Sequence, residues 1–355
     1  MVKFLRFLLL PFSLVFGLVV VVRNFLYDRG LLKSCAFDLP VIVVGNLEVG
    51  GSGKTPVIEY LIRLLKDRYR IAVLSRGYGR SGSGFIRTGH EAVSEISASL
   101  IGDEPYQYFS RFRDITVAVD ADRVAAIERL EDDHDLILLD DAFQHRRLKP
   151  GFSILVFDYN TLFNPRLLLP AGNYREPFGG RSRADMLLIS KAPVLMSDME
   201  RERALKRLNP FPGQLVCFSS LMYDSLEALD RKRPLPVIGE ETRVLLLTGI
   251  ARPGPLLARV REITPHVTHL KYPDHHSFTV KNIAKIAEIF KGIGGSERII
   301  LTTEKDAARL RANHLKQLVG SLPVFYWPVR VTIQEQDSLL FEERILQYAG
   351  KGKRN

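Results

Sequence analysis

Two cysteines, Cys35 and Cys217, are all that 355 residues contain, and neither belongs to a C-x-x-C pair. This scarcity excludes a cysteine-rich zinc module and fits small buried hydrophobes in a reducing compartment. There is no low-complexity tract and no repeat of fixed period. No apolar run reaches the roughly 20 residues of a full membrane span. Nothing interleaves aromatic with basic residues in the manner of a nucleic-acid module. Positive charge is nevertheless in excess, with 50 Lys and Arg against 40 Asp and Glu. The net charge of +10 therefore points to anionic partners: nucleotides, acidic phospholipids or nucleic acid. A content of 46% hydrophobic and 25% charged residues is ordinarily globular, and the length suits one large domain or two medium ones.

The longest apolar run is "FLLLPFSLVFGLVVVV", Phe7 to Val22, with Lys3 and Arg6 before it and Arg23 and Arg29 after it. No small-residue cleavage site follows, so a removed signal peptide is not expected. Sixteen residues at about 1.5 Å each reach about 24 Å, short of a bilayer core, and Pro11 is placed to kink the helix. A membrane anchor is expected, either a short span or a segment lying in one leaflet, in preference to a buried core helix.

Beyond residue 35 short continuous apolar runs alternate with helical patterns. Strands are expected at 41–44, 71–74, 115–119, 136–139, 154–157 and 186–189, and again after "RKRPLP" at 244–247, 266–270 and 299–301. Such runs argue for parallel sheets covered on both faces. The expected fold is α/β: a P-loop NTPase-like parallel sheet with helices on both faces, a second smaller α/β lobe and an N-terminal anchor helix. The expected division is 1–34 anchor, 35–230 P-loop domain and 231–355 second lobe, closing over the active site.

"VIVVGNLEVGGSGKTP", Val41 to Pro56, is a strand running into a glycine-rich turn and a helix. Gly50, Gly51, Ser52 and Gly53 offer backbone N–H groups to a phosphate, Lys54 reaches the terminal phosphates, and Thr55 offers a hydroxyl to Mg²⁺. The opening glycine of G-x-x-x-x-G-K-[ST] is absent, because Glu48 stands there. The acidic partner of such a loop is expected at Asp140-Asp141, at the C-terminal edge of the strand in "DLILLDDAFQHRRL". Arg76 and Arg80 in "LSRGYGR", and Arg175, Arg181 and Arg183 in "GNYREPFGGRSR", are candidate phosphate clamps or solvated cations. "ISKAP" lacks the aspartate of a guanine-reading motif, which weakens a GTPase reading.

With these pieces goes a series of others: "YDRG", "GDEP", "LLPAGNYREP", "TGIARP", "YPDHHSF" and "TTEKDAARL". Together, and in this order, they resemble the tetraacyldisaccharide 4'-kinase (lipid A 4'-kinase) family, nearly end to end. Asn173-Tyr174 and Ala142 depart from the commoner Pro-Leu and Gly of that family. The resemblance implies transfer of the ATP γ-phosphate to the 4'-hydroxyl of tetraacyldisaccharide 1-phosphate, giving lipid IVA in lipid A biosynthesis. It also implies Mg²⁺, a monomer, and a place on the cytoplasmic face of the bacterial inner membrane, with no nucleic-acid partner. It assigns Lys54 and Thr55, with Arg76 and Arg175, to ATP. It places Asp140, Asp141, Gln144 and Glu176 with Thr55 around the metal, and makes Asp103 and His275 the acid–histidine pair that activates the sugar hydroxyl. From the residues alone His276 stands beside His275 as an alternative, and Asp274 and Ser277 read equally well as turn or cap residues. A membrane-anchored switch ATPase is the competing class of function.

Overall fold

The computed structural model describes residues 6, 8–89, 96–230, 232–295 and 297–352, without the side chain of Asn313. Lys3, Phe7 and Arg231, which enter the expectations above, lie outside the described residues.

The larger sheet takes its strands in chain order as β1 (Val41–Gly45), β2 (Ile71–Ser75), β3 (Ile86–Arg87), β4 (Thr116–Val119), β5 (Leu136–Asp140), β6 (Phe152–Asp158), β7 (Met186–Ser190) and β8 (Leu215–Tyr223). Strand β9 (Glu227–Ala228) opens the smaller sheet, which continues with β10 (Arg243–Thr248), β11 (Val267–Lys271), β12 (Arg298–Thr303) and β13 (Val324–Trp327). Strand β14 (Val329–Ile333) then returns to the larger sheet. Spatial order is β14-β8-β7-β6-β1-β5-β2-β4-β3 in one and β11-β10-β12-β13-β9 in the other. The interiors of both sheets are parallel; only the edge strands β14, β3 and β9 pair antiparallel.

Parallel strands need helical crossovers, and those helices cover both faces. In β1, Ile42 and Val44 enter one core with Ile58, Leu61 and Tyr108. Val41 and Val43 enter the opposite core with Ile127, Leu130 and Phe157. The smaller sheet repeats this, Leu245 and Leu247 on one side and Val244 and Leu246 on the other.

Two features differ from expectation. The boundary at residue 230 is crossed in both directions: Glu227–Ala228 pairs in the smaller sheet, and Val329–Ile333 and the helix after it go back to the larger one. The reason is in the C-terminal helix Glu335–Ala349. Its Phe341 and Ile345 are fully buried in the larger lobe's core, and Asp337 Oδ2 accepts from Phe218 N at 2.8 Å. Pro11 does not kink the N-terminal helix, Leu10–Asp28, because it falls in the first turn, where no intrahelical N–H is needed.

That helix is long and apolar enough to cross a membrane by length and composition, yet only 17% of its most apolar window is buried. A core helix is thereby excluded. Ser13, Gly17, Val20 and Asn24 form its one buried stripe. Ser13 Oγ donates to Leu168 O at 3.1 Å and accepts from Ala171 N at 3.0 Å. A Cβ on Gly17 would stand 2.6 Å from Leu168 Cδ1, so any side chain there must push the Leu168 tip aside. Phe12, Leu14, Val15, Leu18 and Val19 point to solvent.

Phe341 is fully buried and meets Tyr60 edge-on at 5.6 Å. Phe341→Ala is expected to cost about 3–5 kcal/mol in urea unfolding, with the loss appearing in the transition of the P-loop lobe. An unchanged midpoint would separate the C-terminal helix from that lobe.

Candidate active site

At the end of β1 the chain turns through residues 46–53 and enters the helix Lys54–Leu65. Gly50 and Gly53 hold φ of 110° and 93°, conformations a side chain would strain. The glycine missing at position 48 is not required. Glu48 bridges antiparallel to Tyr174, Val49 N donates to Asn173 O at 2.8 Å, and Arg175 N donates to Leu47 O at 2.7 Å. The "NYRE" segment thus clamps the first half of the turn as a short extended pairing, and Glu48 Oε2 accepts from Thr161 Oγ1 at 3.2 Å. Glycines are needed only in the second half, where the backbone curls. From β7, the Lys191 ammonium donates to Gly51 O and, at 2.7 Å, to Asp158 Oδ2.

Lys54 Nζ donates to Asn46 Oδ1 at 3.1 Å and lies 3.4 Å from Asp141 Oδ1. Arg175 Nη1 reaches both oxygens of Asp141, at 2.8 and 2.9 Å. Burial works against ionisation of Asp141, but Lys54 and then Arg175 overcome it and hold its pKa below the usual carboxylate value. Its neighbour behaves oppositely. Asp140 ends β5, and burial, then the charge of Glu104, push its pKa up to about 7. Tyr108, which is fully buried, donates to Asp140 Oδ2 at 3.0 Å. Asp140 Oδ1 is buried with no hydrogen-bond partner. An unpartnered buried carboxylate oxygen beside Thr55 fits a bound cation.

Most polar groups around this corner are engaged by protein partners. Among the described residues no group of three or more His, Cys, Asp or Glu is placed to hold a metal. Asp141 is engaged by Lys54 and Arg175. Glu176, fully buried, receives Gln144 Nε2 at 2.9 Å, Asn24 Nδ2 at 3.2 Å and Arg183 Nη2 at 2.7 Å. Gln144 Nε2 also donates to Asn46 O at 2.8 Å. Gln144 and Glu176 thus bind one another and the loop backbone, while Asp140 Oδ1 and Gln144 Oε1 are buried without a hydrogen-bond partner.

The second half of the site is built across the junction, from Asp103 of the larger lobe and from His275 and Arg309 of the smaller one. Asp103 opens the helix Asp103–Arg111 after Gly102, whose φ of 100° turns the chain. Three donors converge on its Oδ2: Arg309 Nη2 at 2.7 Å, Arg309 Nε at 3.0 Å and His275 Nδ1 at 3.2 Å. Burial opposes the charge, yet His275 and Arg309 bring the Asp103 pKa down to about 2. The hydrogen bond to Asp103 raises His275 above its ordinary value. Arg309 Nη1 is fixed in turn by Gly249 O at 2.8 Å and Asp306 Oδ1 at 2.9 Å. His276 turns away, stacking on Tyr272 at 4.5 Å and meeting Asn282 Oδ1 at 3.0 Å. Further pairs join the lobes beside these: Lys305 with Glu104 at 2.7 Å, Glu304 with Arg111 at 3.2 Å and Arg252 with Asp158 at 2.8 Å.

Of the loop arginines, Arg80 and Arg181 are engaged by backbone carbonyls and Arg183 by Glu176, so they are neither free clamps nor solvated cations. Arg76 is exposed at the end of β2. It lies near Arg123, whose pKa falls to about 10, first through burial and then through Arg76. Arg309, Tyr108 and Asn46 were not anticipated. The first two lie within helical patterns, where a lone Arg or Tyr carries no signal of its own.

Two α/β lobes, a glycine turn with Lys and Thr at a helix start, an acidic strand end and an ionised carboxylate held across the lobe junction define a P-loop phosphotransferase. Its relationships are narrower than that class. The family model for Tetraacyldisaccharide-1-P 4'-kinase matches residues 5–348. The Tetraacyldisaccharide 4'-kinase of Bacteroides thetaiotaomicron is 41% identical, covering 98% of this chain and 94% of that protein. The one from Flavobacterium johnsoniae is 41% identical over 97% of each chain. A crystal structure of LpxK from Aquifex aeolicus in complex with ATP superposes with a TM-score of 0.73 at 31% identity, covering 97% of this chain and 99% of that one. The chain belongs to the tetraacyldisaccharide-1-P 4'-kinase family.

The Asp103–His275 contact has a defined pH window. It is complete from about pH 4, where a free Asp is ionised, to about pH 6.5, where a free His loses its proton, and is lost as pH climbs on through the raised pKa of His275. On the acid side it fades as pH falls toward the Asp103 value of about 2. NMR titration should find His275 above 6.5, and Asp103→Asn should move it down. A His275 titration indifferent to Asp103→Asn would dissolve the pair.

Proposed function

We propose that this chain transfers the γ-phosphoryl group of ATP to the 4'-hydroxyl of a tetraacylated glucosamine disaccharide 1-phosphate, forming lipid IVA on the cytoplasmic face of the inner membrane. The observation that carries this reading is the asymmetry of Asp103. All three of its donors converge on Oδ2, which leaves Oδ1 to accept from a substrate hydroxyl. A carboxylate with a pKa of about 2 is a weak base. Phosphoryl transfer is loose, however, and the attacking hydroxyl becomes acidic only as the new O–P bond forms. Orientation therefore counts for more than basicity, and the proton passes to Asp103 Oδ1 late in the step. Arg309 and His275 fix the carboxylate plane and compensate its charge.

On the donor side, Lys54 and the N–H groups of residues 50–53 bind the β- and γ-phosphates, with Arg175 and Arg76 alongside. Thr55 and Asp140 hold Mg²⁺, which when bound neutralises charge on the phosphates. The division of labour follows: residues 35–230 bind ATP, while His275 and Arg309 of the smaller lobe complete the acceptor side across the junction. A switch ATPase has no need of an oriented carboxylate facing an acceptor.

The anchor helix supports the membrane assignment. Its stripe from Ser13 to Asn24 is fastened to the larger lobe along about 16 Å, so the helix lies in one leaflet, apolar face down, and does not stand across the bilayer. Arg23 and Arg29 flank it at headgroup depth. Acting as a monomer, the enzyme brings its site to a lipid already in the membrane.

Two outcomes are expected. With purified disaccharide acceptor and γ-labelled ATP, Lys54→Ala and Thr55→Ala should each lower kcat by about a thousandfold or more while the thermal melt stays in place. Label appearing in water alone would favour the switch ATPase. Burial of even half the exposed apolar side chains of the helix, at about 1.5–3 kcal/mol each, should hold the protein on membranes in high salt until detergent is added. Release by salt alone would remove the anchor role.

A further inference from the structure

The anchor helix is apolar along most of its length, yet its inner stripe carries one amide. Asn24 is 9% exposed, and its Nδ2 donates to Glu176 Oε2 at 3.2 Å. Burying an amide costs stability unless a partner receives it, and an aliphatic side chain would seat the helix as well. The partner is therefore the point of interest.

Glu176 is completely buried. Its Oε1 accepts from Gln144 Nε2 at 2.9 Å, and the same Nε2 donates to Asn46 O at 2.8 Å. Asn46, 1% exposed, uses Oδ1 to hold Lys54 Nζ at 3.1 Å and Nδ2 to hold Ser52 Oγ at 3.0 Å. An unbroken polar series thus runs from the helix that meets the lipid to the lysine that meets the phosphates: Asn24, Glu176, Gln144, Asn46, Lys54. Every contact in it lies within hydrogen-bond distance, and the carboxylate at its centre has no access to water that could replace a lost donor. Next to Glu176, Arg175 fixes Asp141, the other contact of Lys54.

We infer that Asn24 is a positioning residue for phosphoryl transfer, coupling the seating of the anchor helix to the placement of Lys54. The inference rests on the kinase reading only for the reaction that reports it. Withdrawal of the Asn24 amide leaves Glu176 one donor short, and the carboxylate turns toward Arg183 and Gln144. Gln144 moves with it, and Asn46 loses the backbone contact that aims its side chain at Lys54. Anything that lifts the helix from residues 168–176 acts by the same route.

The test uses the full-length protein with detergent-dispersed disaccharide, so that membrane partition limits nothing. Asn24→Leu removes the amide but makes the helix more apolar, which sets anchoring and positioning in opposite directions. Asn24→Leu should lower kcat about tenfold and weaken a fluorescent ATP analogue about threefold. Acceptor KM should hold, as should partition onto phosphatidylethanolamine–phosphatidylglycerol vesicles. Asn24→Gln, which keeps the donor, should recover most of kcat. Gly17→Leu, which pushes on Leu168 without touching the polar series, should lower kcat in the same way and carries the test if Asn24→Leu does not fold. A kcat for Asn24→Leu within twofold of wild type, or a loss that follows vesicle partition alone, would overturn the proposal. If the wild type labels no disaccharide while Asn24→Leu still weakens the nucleotide analogue, the acceptor assignment falls and the coupling stands.

Discussion

The Arg309 guanidinium joins the two lobes where the chemistry is proposed to occur, and most of the site depends on where it points. Its Nε and Nη2 bind Asp103 of the larger lobe, while Nη1 binds Gly249 O and Asp306 of its own lobe. Arg309 and Asp103 are 7% and 18% exposed at the side chain, so neither charge can fall back on water. Removing one partner from such a pair costs about 3–5 kcal/mol, which makes the contact a tie between the lobes. His275 follows from it, because the turn that carries the imidazole, at φ 57°, is anchored through His275 N to Gly249 O at 3.2 Å.

The opposite wall obeys the same economy of charge. Two adjacent aspartates at one strand end cannot both be comfortable as anions, and the structure separates them. Asp141 is ionised against Lys54 and Arg175, while Asp140 is drawn up to about 7 by burial and Glu104. The phosphate turn needs only half of its usual glycines because "NYRE" supports the remainder by extended pairing. Loop, acidic edge and anchor helix are consequently one network.

Much of this was legible in the residues. Continuous apolar runs announced β1, β2, β5, β6, β7, β10 and β12, because strands buried on both faces leave no room for polar alternation. Strand β8, "LVCFSSLMY", was hidden by its two serines, which are buried all the same. The return of β14 and the C-terminal helix to the first sheet was illegible, since no local pattern states which of two hydrophobic cores a segment joins. Motifs singled out Lys54, Thr55, Asp103 and His275, and the structure sets Lys54 against Asp141 and Asp103 against His275. They could not show that Glu176 and Gln144 face the back of the loop, because a carboxylate's role is set by the donors that reach it. Arg309 stayed invisible for the same reason: within "EKDAARL" it has the spacing of any helical arginine.

The central claim is that Asp103 and Arg309, from different lobes, act as one unit in phosphoryl transfer. A double-mutant cycle on kcat with Asp103→Ala, Arg309→Ala and the combined variant measures it most directly, with acceptor and ATP saturating and folding checked by thermal melts. The account predicts that the double variant is about as slow as the slower single variant, since the first removal already dismantles the unit. Two losses that simply multiply would contradict it, and would reduce the contact between the lobes to packing.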